Sequence, residues 1–132
     1  MGYTVSWTQL PFHENIYKII TRYLPTIVNV KVRLEGWGFV VGENDCECLC
    51  IERYPTQMTY VKINRDPYTR DVMKTLILMV EYGVAEDLAH DDTDMSWFLE
   101  ALEEVHAIHY LVSYESQKAY FNRSTANTKS MT

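Results

Sequence analysis

Hydrophobic residues follow two different periods at the start of the chain. Tyr3, Val5 and Trp7 alternate with polar residues, which predicts a strand with one buried face. Residues 12–24 then place apolar side chains three and four positions apart, the spacing of an amphipathic helix. We expect Pro25 to end this helix, because the residue before a proline avoids the α region.

Four further strands are predicted after this helix. Alternation returns from Ile27 and puts one set of apolar side chains on a common face: Val28, Val30, Val32 and Leu34. Glu35 and Gly36 predict a tight turn, and further strands are expected over 37–41, 46–53 and 58–63. Together with the first strand, these runs predict an antiparallel meander of about five strands.

Two more helices are predicted in the second half of the chain. Asp66 and Pro67 are typical of a helix start, and Gly83 is placed to cap the same helix, about 67–82, in a left-handed conformation. A short acidic connection follows, and Thr93 or Asp94 is expected to cap the third helix. The core-facing stripe of that helix is predicted to contain Trp97, Phe98, Ala101, Leu102, Val105 and Ile108.

This order of elements, β-α-β-β-β-β-α-α, predicts a single α+β domain over residues 1–112, with helices packed on one face of an antiparallel sheet. The length of 132 residues and the 47% hydrophobic content suit one globular core. Residues 113–132 form a polar tail whose bulky side chains are few. We interpret this tail as an oligomerisation arm.

Charge is distributed unevenly along the chain, whose net charge is −6. The segment Thr75–Gln117 contains ten carboxylates and neither lysine nor arginine. Such a field disfavours nucleic acid as a partner and favours a basic protein or a divalent cation. No apolar run reaches the roughly 20 residues of a membrane span, so we expect no membrane partner and a soluble, cytoplasmic protein.

Three cysteines, Cys46, Cys48 and Cys50, are spaced two apart on one predicted strand. Their side chains therefore share a face, where parallel Cβ vectors disfavour an internal disulfide. No CxxC pair is present to hold zinc. We expect reduced cysteines that act as small core residues, and a redox or metal role is the alternative.

Two groups of residues are candidates for a metal site. His90, Asp91 and Asp94 could bind a cation through oxygen and nitrogen, and His106 with His109 could add ligands from one helix flank. The alternative is structural, because acids before a helix start and histidines near its end both complement the helix dipole. No cofactor is predicted.

The sequence has no dinucleotide-binding glycine motif, P-loop or nucleophile elbow. The leading hypothesis is a non-catalytic binding or assembly module, a homo-oligomer or a protein that docks a basic partner through its acidic half. The expected interface contains Trp97, Ile108, Tyr110, Tyr114, Tyr120 and Phe121. The alternative is a small metal-dependent hydrolase that uses His90, Asp91 and Asp94.

Overall fold

A computed structural model describes residues 3–42, 49–55, 59–63, 67–90 and 96–120. Within these ranges the chain forms six strands and four helices. In chain order they are β1 (Tyr3–Gln9), α1 (Glu14–Ile27), β2 (Val32–Glu35), β3 (Gly38–Val41), β4 (Leu49–Glu52), β5 (Thr59–Ile63), α2 (Pro67–Glu81), β6 (Ala85–His90), α3 (Ser96–Ile108) and α4 (114–120).

The strands form two antiparallel sheets with the orders β5-β1-β6 and β2-β3-β4. The α+β class is therefore confirmed, and the strands expected in one meander are divided between two sheets. β1 is the central strand of its sheet, and Val5 and Trp7 are buried as predicted. β3 is buried at all four residues, so it is covered on both faces.

The core is centred on α2. Every residue from 72 to 79 is buried, which is the burial expected of a helix surrounded by protein on all sides. α2 packs against α1, α3 and β6. Aromatic contacts extend this core to the second sheet, where Phe12 and Phe39 meet at right angles with their ring centroids 6.1 Å apart.

Helix α1 does not end before Pro25, and the predicted boundary at residue 24 is wrong. The helix continues to Ile27, and the N–H group of Val28 closes it by donating to Leu24 O at 3.0 Å. Pro25 lies in the last turn, where it removes only one helical hydrogen bond, and the buried Leu24 and Ile27 hold this turn on the core. The following strand starts only at Val32 as a result.

Side-chain direction in β2 and β4 also departs from the predictions. Leu34 was placed on one face with Val28 and Val32, but its side chain is 58% exposed, whereas Val28 is buried and Val32 is partly buried. In β4 the core positions are Leu49 and Ile51, so the alternation of the strand leaves Cys50 exposed. The prediction of a buried thiol is therefore wrong for Cys50, while Cys46 and Cys48 lie outside the described residues.

The structure explains why glycine occupies two positions. Gly83 adopts a φ of 75° after α2, which confirms the predicted left-handed cap. Gly38 lies directly against β4, because a Cβ atom built there would be 1.8 Å from Ile51 O. Only a residue without a side chain allows the β3–β4 pairing at this point.

β6 occupies a segment that the sequence predicts only as an acidic connection. Its pairing with β1 shifts by one residue between Ser6 and Thr8, so β6 contains a bulge. Asp87 lies in this bulge with a φ of 56°, a left-handed conformation that aspartate tolerates better than most residues. Because of the bulge, the buried residues Ala85 and Leu88 are three apart, and the alternation that would reveal a strand is lost.

Candidate association surface

The chain between α3 and α4 presents large apolar side chains to the outside. We call residues 108–113 the α3–α4 corner. Ile108, Tyr110 and Val112 are 56%, 75% and 84% exposed. Three such side chains within five residues form an apolar patch of the kind that marks interaction sites.

The backbone of this corner is anchored from within. Leu111, between two exposed residues, is buried in the core, and its N–H group donates to His106 Nδ1 at 3.1 Å. The carboxylate of Glu81 accepts from Val112 N at 3.0 Å, from Ser113 N at 2.9 Å and from Ser113 Oγ at 2.6 Å. These hydrogen bonds and the buried side chain of Leu111 therefore hold the α3–α4 corner in place.

A carboxylate at Glu81 would be unfavourable for α2 taken alone. It is the last residue of α2, where the helix dipole disfavours a negative charge. The three donors from Val112 and Ser113 compensate, because hydrogen bonds to a charged acceptor are stronger than neutral ones. The same carboxylate receives the N–H groups that precede α4, so it joins α2 to the start of α4.

His106 and His109 take part in packing on the same side of the molecule. His106 stacks on Tyr114, with ring centroids 4.1 Å apart, and uses Nδ1 to accept from the backbone. His109 Nε2 lies 2.9 Å from the hydroxyl of Tyr82, and its ring centroid lies 4.4 Å from that of Tyr23. One ring nitrogen of each histidine is thus engaged within the protein.

The predicted metal site is only partly within the described chain. Asp91 and Asp94 lie outside it, and only the backbone of His90 is described. Among the side chains that are described, no three of histidine, cysteine, aspartate or glutamate gather closely enough to share a metal ion. The metal site, and the hydrolase that would depend on it, therefore stay predictions.

The glutamates of α3 are bound by basic residues from outside the acidic segment. Arg70 contacts Glu100 at 2.6 Å and Glu104 at 3.0 Å, and the buried Lys74 contacts Glu104 at 2.9 Å. These two bases precede the acidic segment in sequence but face α3 in space. The charge asymmetry of the sequence is therefore partly cancelled by the packing of α2 on α3.

Glu103 is engaged in a similar way by α4. The hydroxyl of Tyr114 donates to its carboxylate, and the ammonium of Lys118 lies 4.0 Å away. The hydrogen bond to Glu103 is the main reason that the pKa of the Tyr114 hydroxyl is raised above its ordinary value.

The predicted interface residues have different positions in the structure. Ile108 and Tyr110 are exposed, whereas Tyr114 is partly buried against His106. Tyr120 is 40% exposed, and its hydroxyl donates to Leu88 O at 2.8 Å. The side chain of Trp97 and all of Phe121 lie outside the description.

Ile108 and Val112 show where sequence reasoning about this surface failed. Ile108 was also assigned to the core stripe of α3, and this assignment is wrong because α3 ends there and the chain turns outward. Leu111 enters the core after the turn. Buried Leu111 lies between the exposed residues Tyr110 and Val112. This alternation could have indicated the exposed surface, but it spans only three residues and cannot be recognised unless the end of α3 is known.

No known protein family, curated protein or solved structure matches this chain. The candidate function is therefore argued from the chemistry of the surface itself. None of the helices in the described ranges combines the length and apolar character required to cross a bilayer.

Proposed function

We propose that this protein is a non-catalytic assembly module that forms a homodimer through the α3–α4 corner. The observation that carries the proposal is the exposure of Ile108, Tyr110 and Val112 on a backbone that the protein itself holds in place. Large apolar and aromatic side chains supply most of the free energy of protein association.

The fixed backbone of the corner favours binding. A flexible loop loses conformational entropy when a partner orders it, and this loss reduces affinity. At the corner, Glu81, His106 and Leu111 already restrict the backbone before any partner arrives. A partner therefore meets a surface whose shape needs little further ordering.

The charge around the corner favours a second copy of the same chain. A protein with a net charge of −6 repels itself, so a self-contact is favoured where little negative charge is exposed. Residues 105–114 contain no aspartate, glutamate, lysine or arginine. The carboxylate of Glu81 lies against Val112 and Ser113, but it is partly buried and accepts three hydrogen bonds. A two-fold axis would therefore bring a surface with little free negative charge against its own copy, as in most homodimers.

A basic protein is the second kind of partner that the charge supports. Glu86, Asp87 and Glu115 are exposed, and no ion pair in the described part of the chain involves them. Glu100, Glu103 and Glu104 contact internal bases instead, which weakens the acidic field that such a partner would meet. Self-association is therefore the better-supported form of the proposal.

The experiment compares oligomeric state in two surface variants. Sedimentation velocity at tens of micromolar is expected to show a dimer for the unaltered chain. The double variant Tyr110→Ser, Val112→Ser should weaken the dimer at least about tenfold, because it removes two exposed anchors. The matched control is Tyr54→Ser, which removes another exposed tyrosine, 61% accessible, beyond the end of β4.

The control variant is expected to remain a dimer. A monomer for the unaltered chain at these concentrations would refute the proposed self-association. Equal loss of the dimer in Tyr54→Ser would assign the interface to the other sheet. Circular dichroism of each variant confirms that a change of mass does not result from unfolding.

A further inference from the structure

The end of β4 carries a second group of exposed large side chains. Trp37 lies in the turn between β2 and β3, Tyr54 follows β4, and the two are 47% and 61% exposed. Arg53 lies beside them, because its backbone N–H group donates to Trp37 O at 2.8 Å. We call Trp37, Arg53 and Tyr54 the Arg53 surface. It shares no residue with the α3–α4 corner.

The guanidinium of Arg53 lies over two aromatic rings. Its Cζ atom is 4.8 Å from the ring centroid of Tyr17 in α1 and 5.6 Å from that of Tyr54. Tyr17 is fixed in turn, because its hydroxyl donates to Gly38 O at 2.9 Å. Cation–π contacts of this kind attract the positive charge of a guanidinium. They restrict the arginine side chain before any partner arrives, so less conformational entropy is lost on binding.

The guanidinium of Arg53 has no oxygen acceptor in the described part of the chain. It forms no ion pair there, and its N–H groups donate no hydrogen bond. The Nε atom is buried, so a partner cannot reach it. Nη1 and Nη2 are unpaired but not buried, and the residue as a whole is partly exposed. The N–H groups of these two terminal nitrogens therefore face the solvent.

Neighbouring bases differ from Arg53 in this respect. On α1, Lys18 contacts Glu14 at 3.4 Å. On β2, Arg33 contacts Glu35 at 2.8 Å. Each of these bases has a carboxylate partner from its own element, whereas the charge of Arg53 is balanced only by ring faces. Arg53 is therefore the base of this region that remains available to an external anion.

A single carboxylate fits these donors and the charge around them. The terminal N–H groups of a guanidinium form a planar fork that matches the two oxygens of a carboxylate. Glu52, the exposed neighbour of Arg53, and the net charge of −6 oppose a polyanion such as nucleic acid. An isolated carboxylate meets much less of this repulsion.

Trp37 and Tyr54 determine what should surround that carboxylate. Tryptophan, tyrosine and arginine are the residue types that most often dominate the free energy of protein association. Exposed indole and phenol rings gain free energy when apolar side chains of a partner cover them. The partner that fits therefore carries a large apolar residue beside its carboxylate.

We propose that the Arg53 surface binds a peptide segment of another protein, in which an aspartate or glutamate lies beside a large apolar residue. The carboxylate of the segment accepts from the N–H groups on Nη1 and Nη2 of Arg53. The apolar side chain of the segment packs on Trp37 and Tyr54. This binding does not depend on the proposed homodimer, because the α3–α4 corner contributes none of these residues.

The test is a titration of the full chain followed by ¹⁵N NMR, with three capped pentapeptides as probes. The peptides differ only at the central position, where aspartate, asparagine or lysine lies between a leucine and a phenylalanine. The aspartate peptide should bind about tenfold more tightly than the asparagine peptide, and the lysine peptide should bind most weakly. Shifts should concentrate on the amides of residues 36–38 and 52–54 and on the indole N–H of Trp37.

Three variants separate the charged contact from the apolar one. Arg53→Gln removes the guanidinium and should abolish the preference for the aspartate peptide, whose affinity should fall about tenfold. Arg53→Lys keeps the positive charge but loses the planar fork, so the aspartate peptide should bind about threefold more weakly. Trp37→Ser removes the apolar contact and should weaken all three peptides by a similar factor.

Arg22→Gln is the matched control, because it changes the net charge by the same amount at an exposed position of α1. It should bind the peptides like the unaltered chain. Equal affinity for the aspartate and asparagine peptides would overturn the proposal, as would an aspartate preference that persists in Arg53→Gln. Absence of shifts at millimolar peptide would also overturn it. Loss of a dimer in Arg53→Gln, measured by sedimentation velocity without peptide, would assign the surface to a second copy of the chain instead.

Discussion

Helix α2 carries a carboxylate towards each end, and the two perform the same task on different parts of the molecule. Asp71 accepts from Asn29 N at 3.0 Å and from Val30 N at 3.2 Å, in the loop that leads to β2. Glu81 accepts from Val112 N and Ser113 N in the α3–α4 corner. Each carboxylate therefore fixes a loop that is distant in sequence.

The difference between the two is their burial. Asp71 is 1% exposed and lies beside the buried Lys74, whereas Glu81 is only partly buried. Burial raises the pKa of the Asp71 carboxyl above its ordinary value, because desolvation outweighs the hydrogen bonds from Asn29 and Val30 and the attraction of Lys74. A carboxylate that accepts from backbone N–H groups therefore supports the core at one end of α2 and fixes the shape of an exterior surface at the other.

The largest effect is expected from Asp71→Ala. The substitution leaves the N–H groups of Asn29 and Val30 without their acceptor, and the buried Lys74 loses one nearby carboxylate while it retains Glu104, so the free energy of unfolding should fall by about 3 kcal/mol. Urea denaturation measures the free energy of unfolding of each variant. Glu100→Ala, which removes an exposed ion pair with Arg70, is the control and should change stability by less than about 1 kcal/mol. Similar losses in both variants would contradict the distinction based on burial.

A smaller and more local effect is expected from Glu81→Gln. The amide keeps one acceptor oxygen but brings its NH₂ group towards the donors of Val112 and Ser113, so stability should fall by about 1 to 2 kcal/mol. Hydrogen exchange should accelerate mainly at these two amides, and the dimer should weaken. Glu115→Gln should leave exchange unchanged. Uniform acceleration throughout α2 would show that Glu81 supports the core as Asp71 does.

The smallest effect is the pH dependence of Asp71→Asn. A raised pKa means that the folded protein binds a proton more readily than the unfolded chain, so this contribution to stability is complete below about pH 4 and is lost as pH rises through the folded pKa. The stability difference between the unaltered chain and Asp71→Asn should therefore be larger near pH 4 than at pH 7. Denaturation at both pH values measures this stability difference. A smaller difference near pH 4 than at pH 7 would contradict a raised pKa for Asp71.

Elements with local signals could be predicted from the sequence. Pro67 and Gly83 bound α2 correctly, and Val5 and Trp7 identify the inner face of β1. β6 could not be predicted, because its bulge removes the alternation on which strand prediction depends. Pro25 was misleading because the burial of the residues around it outweighs one lost hydrogen bond.

The surface was harder to predict because its geometry depends on distant pairs. Ile108 and Tyr110 were named from their chemistry, but the carboxylate that holds the corner comes from Glu81, more than thirty residues earlier. In the same way, the charge of the acidic segment depends on Arg70 and Lys74, which the linear count assigns to the other part of the chain. Such compensation is visible only after α2 and α3 are packed.

The position of α4 beside β6 has a consequence for handling the protein. An uncovered strand edge offers backbone groups to other chains and promotes aggregation. β6 is the last strand in the described order β5-β1-β6, and the hydroxyl of Tyr120 in α4 donates to Leu88 O of this strand, so this carbonyl is not free to accept from another chain. A shortened form that ends at Ser113 is therefore expected to precipitate on storage, even if its remaining elements fold correctly.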